Sequence, residues 1–214
     1  AEMRHIAKVK RSDLIGLGVA FFATLILGIE LGILVAVVAS MLVVFARMSM
    51  PHAAVLGHVE GTTSYRNVDR FPEAETIDGV RIIRIDAALS FVNAVNVKKL
   101  ILSHLHQISE EPRALVVDAS GINDLDATGA EMLEEVLTEV DECDVRLHLA
   151  DVKGPVRDVL HDAGIWDRLG DRIHTSTNDA LEAIAADRPA PSDRRRYGID
   201  ERAATAPEAV DQHA

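Results

Sequence analysis

Leu115-Val116-Val117-Asp118-Ala119-Ser120-Gly121-Ile122-Asn123-Asp124-Leu125-Asp126-Ala127-Thr128-Gly129 is the stretch on which the fold turns. An apolar β-type run ends at Asp118, a polar loop carrying Gly121 follows, and Asp126-Ala127-Thr128-Gly129 opens a helical pattern. In that pattern Leu133, Val136, Leu137 and Val140 recur at i, i+3, i+4 and i+7, the inward face of an amphipathic helix. A strand, a short loop and a helix in this order make half of a parallel βαβ unit.

The same alternation extends on both sides. Strands are expected at Ala53 to Val59, Val80 to Ile85, Leu115 to Asp118, Val145 to Leu149 and, weakly, Arg172 to His174. Helical patterns lie between or after them at about Val95 to Ile108, Gly129 to Asp141, Pro155 to Ala163 and Asn178 to Ala186. Residues 51–187 therefore read as an α/β domain with a mixed, mostly parallel central sheet covered by helices, linked by right-handed crossovers.

Upstream the regime changes. From Leu14 to Phe45 the only charge is Glu30, and the other polar side chains are Thr24 and Ser40. As one straight helix this stretch would span roughly 48 Å, well beyond a hydrocarbon core of about 30 Å. Gly28-Ile29-Glu30-Leu31-Gly32 supplies a break, with Gly28 able to take a left-handed conformation and Glu30 placed at a helix start. Two antiparallel spanning helices result, about 11–29 and 30–47. Gly16, Gly18, Ala20 and Ala23 on one, and Gly32, Ala36, Ala39 and Ser40 on the other, allow close approach of neighbouring helices. Lys8, Lys10 and Arg11 precede the hairpin and Arg47 follows it, which places both flanks and the α/β domain in the cytoplasm. Residues 1–11 read as a cytoplasmic lead-in, and further transmembrane chain is expected upstream of it. Residues 188–214, rich in Pro, Arg, Ala and Glu, read as a disordered polar tail whose Arg194 to Arg196 are solvated.

Charge separates the three parts. Residues 1–50 carry +2, residues 51–187 carry −14 and residues 188–214 are neutral, which makes up the chain's −12. An acidic soluble part excludes nucleic acid as a partner, because phosphate neutralisation needs a basic face. A single cysteine, Cys143, excludes an intramolecular disulfide, and nine scattered histidines give no metal-ligand cluster. His104 and His106, the closest pair, point about 200° apart on a helix. No nucleophile elbow, Walker loop or dinucleotide fingerprint occurs, so neither catalysis nor a cofactor has a visible seat.

The loop after the third strand remains the candidate regulatory site, through Thr128, Ser120, Asp118 and Asp126. Thr128 at a helix N-terminus could take a phosphoryl group, which would meet free N–H groups and the positive end of the dipole. The alternative is plain capping by Asp126 or Thr128, with Glu131 reaching back. A receiver-type aspartyl phosphate at Asp118 would need a metal-binding acidic pair and a lysine, for which Lys153 is the positional candidate. Ser120 before Gly121 reads as a turn.

With these parts in order, the chain resembles the C-terminal part of the SulP family of sulfate permeases and related anion transporters. The resemblance rests on Ile29-Glu30-Leu31-Gly32-Ile33-Leu34-Val35, Arg47-Met48-Ser49-Met50-Pro51-His52, Val55-Leu56-Gly57, Tyr65-Arg66 and Ser90-Phe91-Val92-Asn93-Ala94. The α/β part resembles a STAS domain, shared by sulfate transporters and anti-sigma-factor antagonists, through Asp118-Ala119-Ser120-Gly121 and Asp126-Ala127-Thr128-Gly129. That likeness implies a cytoplasmic STAS domain, dimeric membrane assembly and anion transport by the complete protein, with the anion site in helices outside this chain. In the antagonists the residue before the motif's glycine is the phosphorylated serine; Thr128 occupies that position, while Ala127 departs from the serine before it. The resemblance leaves two functions: a transporter's regulatory and assembly portion, or a membrane-tethered STAS module that binds a protein partner and is switched by charge at Thr128.

Overall fold

Gly28 breaks the apolar segment. In the computed structural model, which describes residues 11–105, 108 and 113–187, α1 runs Arg11–Ser49 and is interrupted at Gly28, whose φ of 82° and ψ of 175° are not helical. A Cβ built on Gly32 would lie 2.5 Å from the Cα of Thr24. Eight residues of unbroken helix would separate these two positions by about 12 Å, so the chain doubles back at Gly28. The glycine is needed there because a left-handed φ strains any residue with a Cβ. The most apolar 18 residues within Phe21–Ser49 have a mean hydropathy of 2.6 and are almost wholly exposed, apolar enough for a membrane interior. The lead-in before Arg11, His106 and the tail from Arg188 lie outside the described residues.

The chain forms two compact units, Ala1–Met50 and Pro51–Ala214. The second is built on a sheet of seven strands: β1 His52–Val59, β2 Tyr65–Asn67, β3 Ala74–Glu75, β4 Val80–Asp86, β5 Ala114–Asp118, β6 Arg146–Ala150 and β7 Ile173–His174. The order is β2-β1-β4-β5-β6-β7, with β3 also on β1. β1 is antiparallel to β2, β3 and β4, whereas β4, β5, β6 and β7 are mutually parallel. The later strands are parallel because a helix returns the chain between each pair: α2 Ala94–Ser103, α3 Ala127–Glu142, and α4 Gly154–Asp162 with α5 Ile165–Leu169. α6 Thr177–Ala186 is the last helix among the described residues.

Alternation along the strands divides the core. Ile83, Ile85, Leu115, Val117, Leu147 and Leu149 face one side, where they bury Val97 and Ile101 of α2 and Leu133, Val136, Leu137 and Val140 of α3. Ile82 and Val116 face the other side with Leu56, against Ala180, Leu181 and Ile184 of α6. Both faces of the parallel strands are covered, which is why Leu115–Val117 read as continuous apolar sequence.

The structure departs from the sequence-based expectation in three places. β2, β3 and α5 are additional elements, each two to five residues long. The helix expected to reach Ile108 ends at Ser103; beyond it Ile108 N–H donates to the Leu105 carbonyl at 3.0 Å and both side chains are buried. Glu131 does not complete a capping box: with Asp126 as N-cap, the N3 position falls to Gly129, which has no side chain to reach back.

Candidate functional site

The carboxyl ends of β4, β5 and β6 feed three loops that meet at one edge of the sheet. Asp118, the last residue of β5, is buried, and its Oδ1 accepts from the Ser120 N–H at 2.9 Å. That bond turns the chain out of the strand and leaves Ser120 exposed. Arg84 of β4 is its register partner, and Arg84 in turn holds Asp86 with two hydrogen bonds of 2.9 and 3.1 Å. Burial, then the nearby Asp118 carboxylate, raise the pKa of Asp151 at the end of β6.

Two glycines set how tightly the loops pack. A Cβ on Gly121 would sit 2.4 Å from the Ile85 carbonyl oxygen and 2.8 Å from the Asp86 Cα. On Gly129 it would sit 2.6 Å from the Leu89 carbonyl oxygen and 2.8 Å from Cδ1 of Leu125. Both sequence motifs thus end in glycine because backbone lies against each, that of β4 at Gly121 and that of the β4–α2 connection at Gly129.

Asp126 joins the same connection to α3. Its Oδ1 accepts from the Gly129 N–H at 2.8 Å, the N-cap bond, and its Oδ2 accepts from the Phe91 N–H at 2.9 Å. Its own N–H donates to the Leu89 carbonyl at 3.0 Å, and Leu89 N–H donates to the Asp124 carbonyl at 3.0 Å. Replacing Asp126 by alanine leaves two N–H donors without their acceptor. We expect Asp126→Ala to cost about 2 kcal/mol, read as a lower urea midpoint of residues 51–187 followed by Trp166 fluorescence. A change under about 0.5 kcal/mol would show that water replaces both bonds without loss.

Thr128 is the second residue of α3, exposed, and its side chain makes no hydrogen bond among the described residues. Capping therefore falls to Asp126 and leaves the Thr128 hydroxyl unengaged. Lys153 donates to Oδ1 of Asn123, which engages it with the β5–α3 loop instead of the Asp118 carboxylate. Among the described residues no group of three His, Cys, Asp or Glu side chains is placed to hold a metal ion. The arrangement offers a rigid loop edge with an exposed hydroxyl; a receiver-type phosphotransfer site would need its lysine at Asp118.

Sequence reasoning missed the neighbours of this edge. Phe91 and Val95, one turn apart where α2 begins, are 68% and 65% exposed, the large hydrophobics most open to solvent among the described residues of the second unit. An apolar residue outside the periodic face of α2 was the available signal.

The sequence pattern of the STAS domain family matches residues 71–180. The chain belongs to the STAS domain family. Its STAS domain is accompanied by similarity outside that region: Sulfate transporter 1.2 of Arabidopsis thaliana is 34% identical over 187 residues, which cover 83% of this chain and 29% of that protein. A probable sulfate transporter of Mycobacterium tuberculosis is 30% identical over 185 residues, 86% of this chain and 33% of that one. The chain thus spans about a third of the length of the curated relatives it matches. Among solved structures, the murine Solute Carrier 26 family member A9 anion transporter in its inward-facing state matches 87% of this chain and 30% of its own, with a TM-score of 0.77 at 20% identity. That likeness extends the shared fold beyond the STAS domain, because Pro51 to Ala214 alone would be 164 of the 214 residues.

Proposed function

We propose that this chain is the C-terminal regulatory and assembly portion of a secondary active anion transporter of the sulfate type. The observation that carries the reading is the order of parts: an apolar helix folded back at Gly28, then a STAS domain, in a chain whose relatives are named sulfate transporters. The exposed apolar flank of α1, including Leu25, Ile26, Ile33 and Leu34, supports partner helices and lipid around it. Basic flanks support a cytoplasmic STAS domain, and the family likeness supports a homodimer. The anion is bound by helices outside this chain, so the chain transports nothing alone.

The test begins with the coding sequence upstream of Ala1, read in all frames for apolar segments of spanning length. Sulfate uptake into proteoliposomes then compares this chain with the chain joined to those segments. Uptake only from the joined protein is the expected result. A locus without such segments, or uptake by this chain alone, overturns the reading.

The unengaged Thr128 hydroxyl favours a second reading, a tethered STAS module that binds a cytoplasmic protein and is switched by phosphorylation. A phosphate at the second position of α3 would lie against the free N–H groups of the first turn, yet beside Asp126 and near Asp124. Phosphopeptide mass spectrometry of the protein from its native cells decides it: modification at Thr128 supports the switch, and its absence with full peptide coverage removes it.

A further inference from the structure

β1 runs past its outer neighbours. β2 pairs with Leu56 to His58 and β3 with His58 to Val59, whereas β4 pairs with β1 from His52 onward. His52 to Ala54 therefore have no strand beside their outer edge among the described residues, and a cleft of about 620 Å³ opens there. Its charged lining is Arg66, Arg70, Arg84 and one carboxylate, Asp86.

Arg84 and Asp86 neutralise each other through their two hydrogen bonds. Arg66 and Arg70 are left as unbalanced positive charge in a segment, residues 51–187, whose net charge is −14. Neither guanidinium has a carboxylate partner among the described residues. The Arg66 guanidinium and the Arg70 backbone are held in place by their surroundings. The Arg66 guanidinium lies over the Phe71 ring at 4.9 Å, which fixes its plane and leaves its N–H edge available. Arg70 sits in a turn built on Asn67, whose carbonyl accepts from the Arg70 and Phe71 N–H groups at 3.1 and 3.0 Å. The Asn67 side chain secures the same turn by accepting from the Asp69 N–H at 2.8 Å.

Acidic proteins have an abundance of partners for any exposed arginine, so two unpaired ones, Arg66 on β2 and Arg70 on the turn after it, beside an open backbone edge call for an anionic ligand. We propose that this cleft is a binding site for a tetrahedral oxyanion of the phosphate or sulfate class, gripped by Arg66 and Arg70. The guanidinium fork matches two oxygens of such an anion, and two forks outweigh the single paired carboxylate in the lining. The anion arrives free in solution or as the phosphate of a lipid headgroup. His52 follows Ser49, the last residue of α1, by three residues, a chain reach of at most about 11 Å. The lipid source rests on the membrane reading proposed above; the free source does not.

The experiment uses the full chain in phosphatidylcholine nanodiscs and follows amide exchange of peptides within His52 to Phe71 by mass spectrometry. Inorganic phosphate and sulfate are added at matched ionic strength, and separate nanodiscs carry phosphatidic acid. Exchange in the Asn67–Phe71 turn should slow about tenfold with a probe at ten times its Kd. Slowing by the free anions identifies a soluble source, and slowing only in phosphatidic acid nanodiscs identifies the headgroup. Arg66→Gln with Arg70→Gln should abolish the response. Arg70→Lys, which keeps the charge and loses the fork, should weaken it if the double variant does not fold. Unchanged exchange with all three probes, or an undiminished response in every variant that folds, overturns the site. Loss of the phosphatidic acid response alone, with the free-anion response intact, removes the lipid source and leaves the cleft.

Discussion

Gly121→Ala should destabilise the STAS domain by about 3 kcal/mol, although it adds one methyl group to an irregular loop. The methyl carbon would stand 2.4 Å from the Ile85 carbonyl oxygen, 2.6 Å from Oδ1 of Asp86 and 2.8 Å from the Asp86 Cα. Two of these three neighbours are backbone atoms of β4, a strand held along both edges. It is paired on one side to β1 from His52 to Leu56 and on the other to β5 from Ala114 to Asp118. The Asp86 side chain is held as well, by Arg84. Relief must therefore come from the β5–α3 loop, which is anchored by the Asp118–Ser120 turn and by the Asn123–Lys153 bond. Equilibrium urea unfolding of residues 51–187 measures the cost. Ser120→Ala is the control, an exposed neighbour in the same loop whose change should stay within about 0.5 kcal/mol. If both variants unfold at the same urea concentration, close packing of this loop on β4 is not what the glycine provides.

How much of this was legible beforehand follows from how local each signal is. The strand at Leu115 to Asp118 was readable as an unbroken apolar run, and the Leu133-Val136-Leu137-Val140 face because its burial repeats at a fixed period. Gly28 was readable because a 32-residue apolar run is too long for one span and contains one glycine pair around a single charge. β2 and β3 were not, since three- and two-residue strands show no period; their pairing is decided by the turns around them and by the β1 edge. The cleft was lost with them, because Arg66 and Arg70 fell in chain that read as a connection. At the loop edge, sequence offered Asp126 and Thr128 as equal caps. The bond from Phe91, 35 residues away, decides for Asp126, and no local rule supplies it.

Acid should weaken the STAS domain through one buried imidazole. His148 in β6 is the register partner of Val116 and shares its face of the sheet. It is buried, its ring stacks on His174 at 5.2 Å, and its Nδ1 lies 3.0 Å from Nε2 of His174. Its Nε2 is buried without a hydrogen-bond partner, so a proton added there would have nothing to donate to. Burial first, then the positive charge of His174, Arg146 and Arg172, lower its pKa to about 4, with Asp171 opposing. The unfolded chain binds this proton near the ordinary value of 6.5, above the folded one. Between the two values the unfolded state holds more protons, so stability rises with pH and is lost as pH falls from about 6.5 towards 4. The loss attributable to His148 is about 2 kcal/mol at pH 5 and about 3 kcal/mol once both states are protonated. His174 is pushed down too, by burial, which acts in the same direction. His148→Leu removes the titration and the unpartnered nitrogen together, and the aliphatic face around Val116 accepts the new side chain. Urea midpoints at pH 7 and pH 5, followed by far-UV circular dichroism, are the measurement; Trp166 fluorescence is unsuitable here because its indole stacks on His161 at 4.4 Å. The wild type should lose about 2 kcal/mol more than His148→Leu over that interval. Equal losses would place the acid sensitivity in the carboxylates instead.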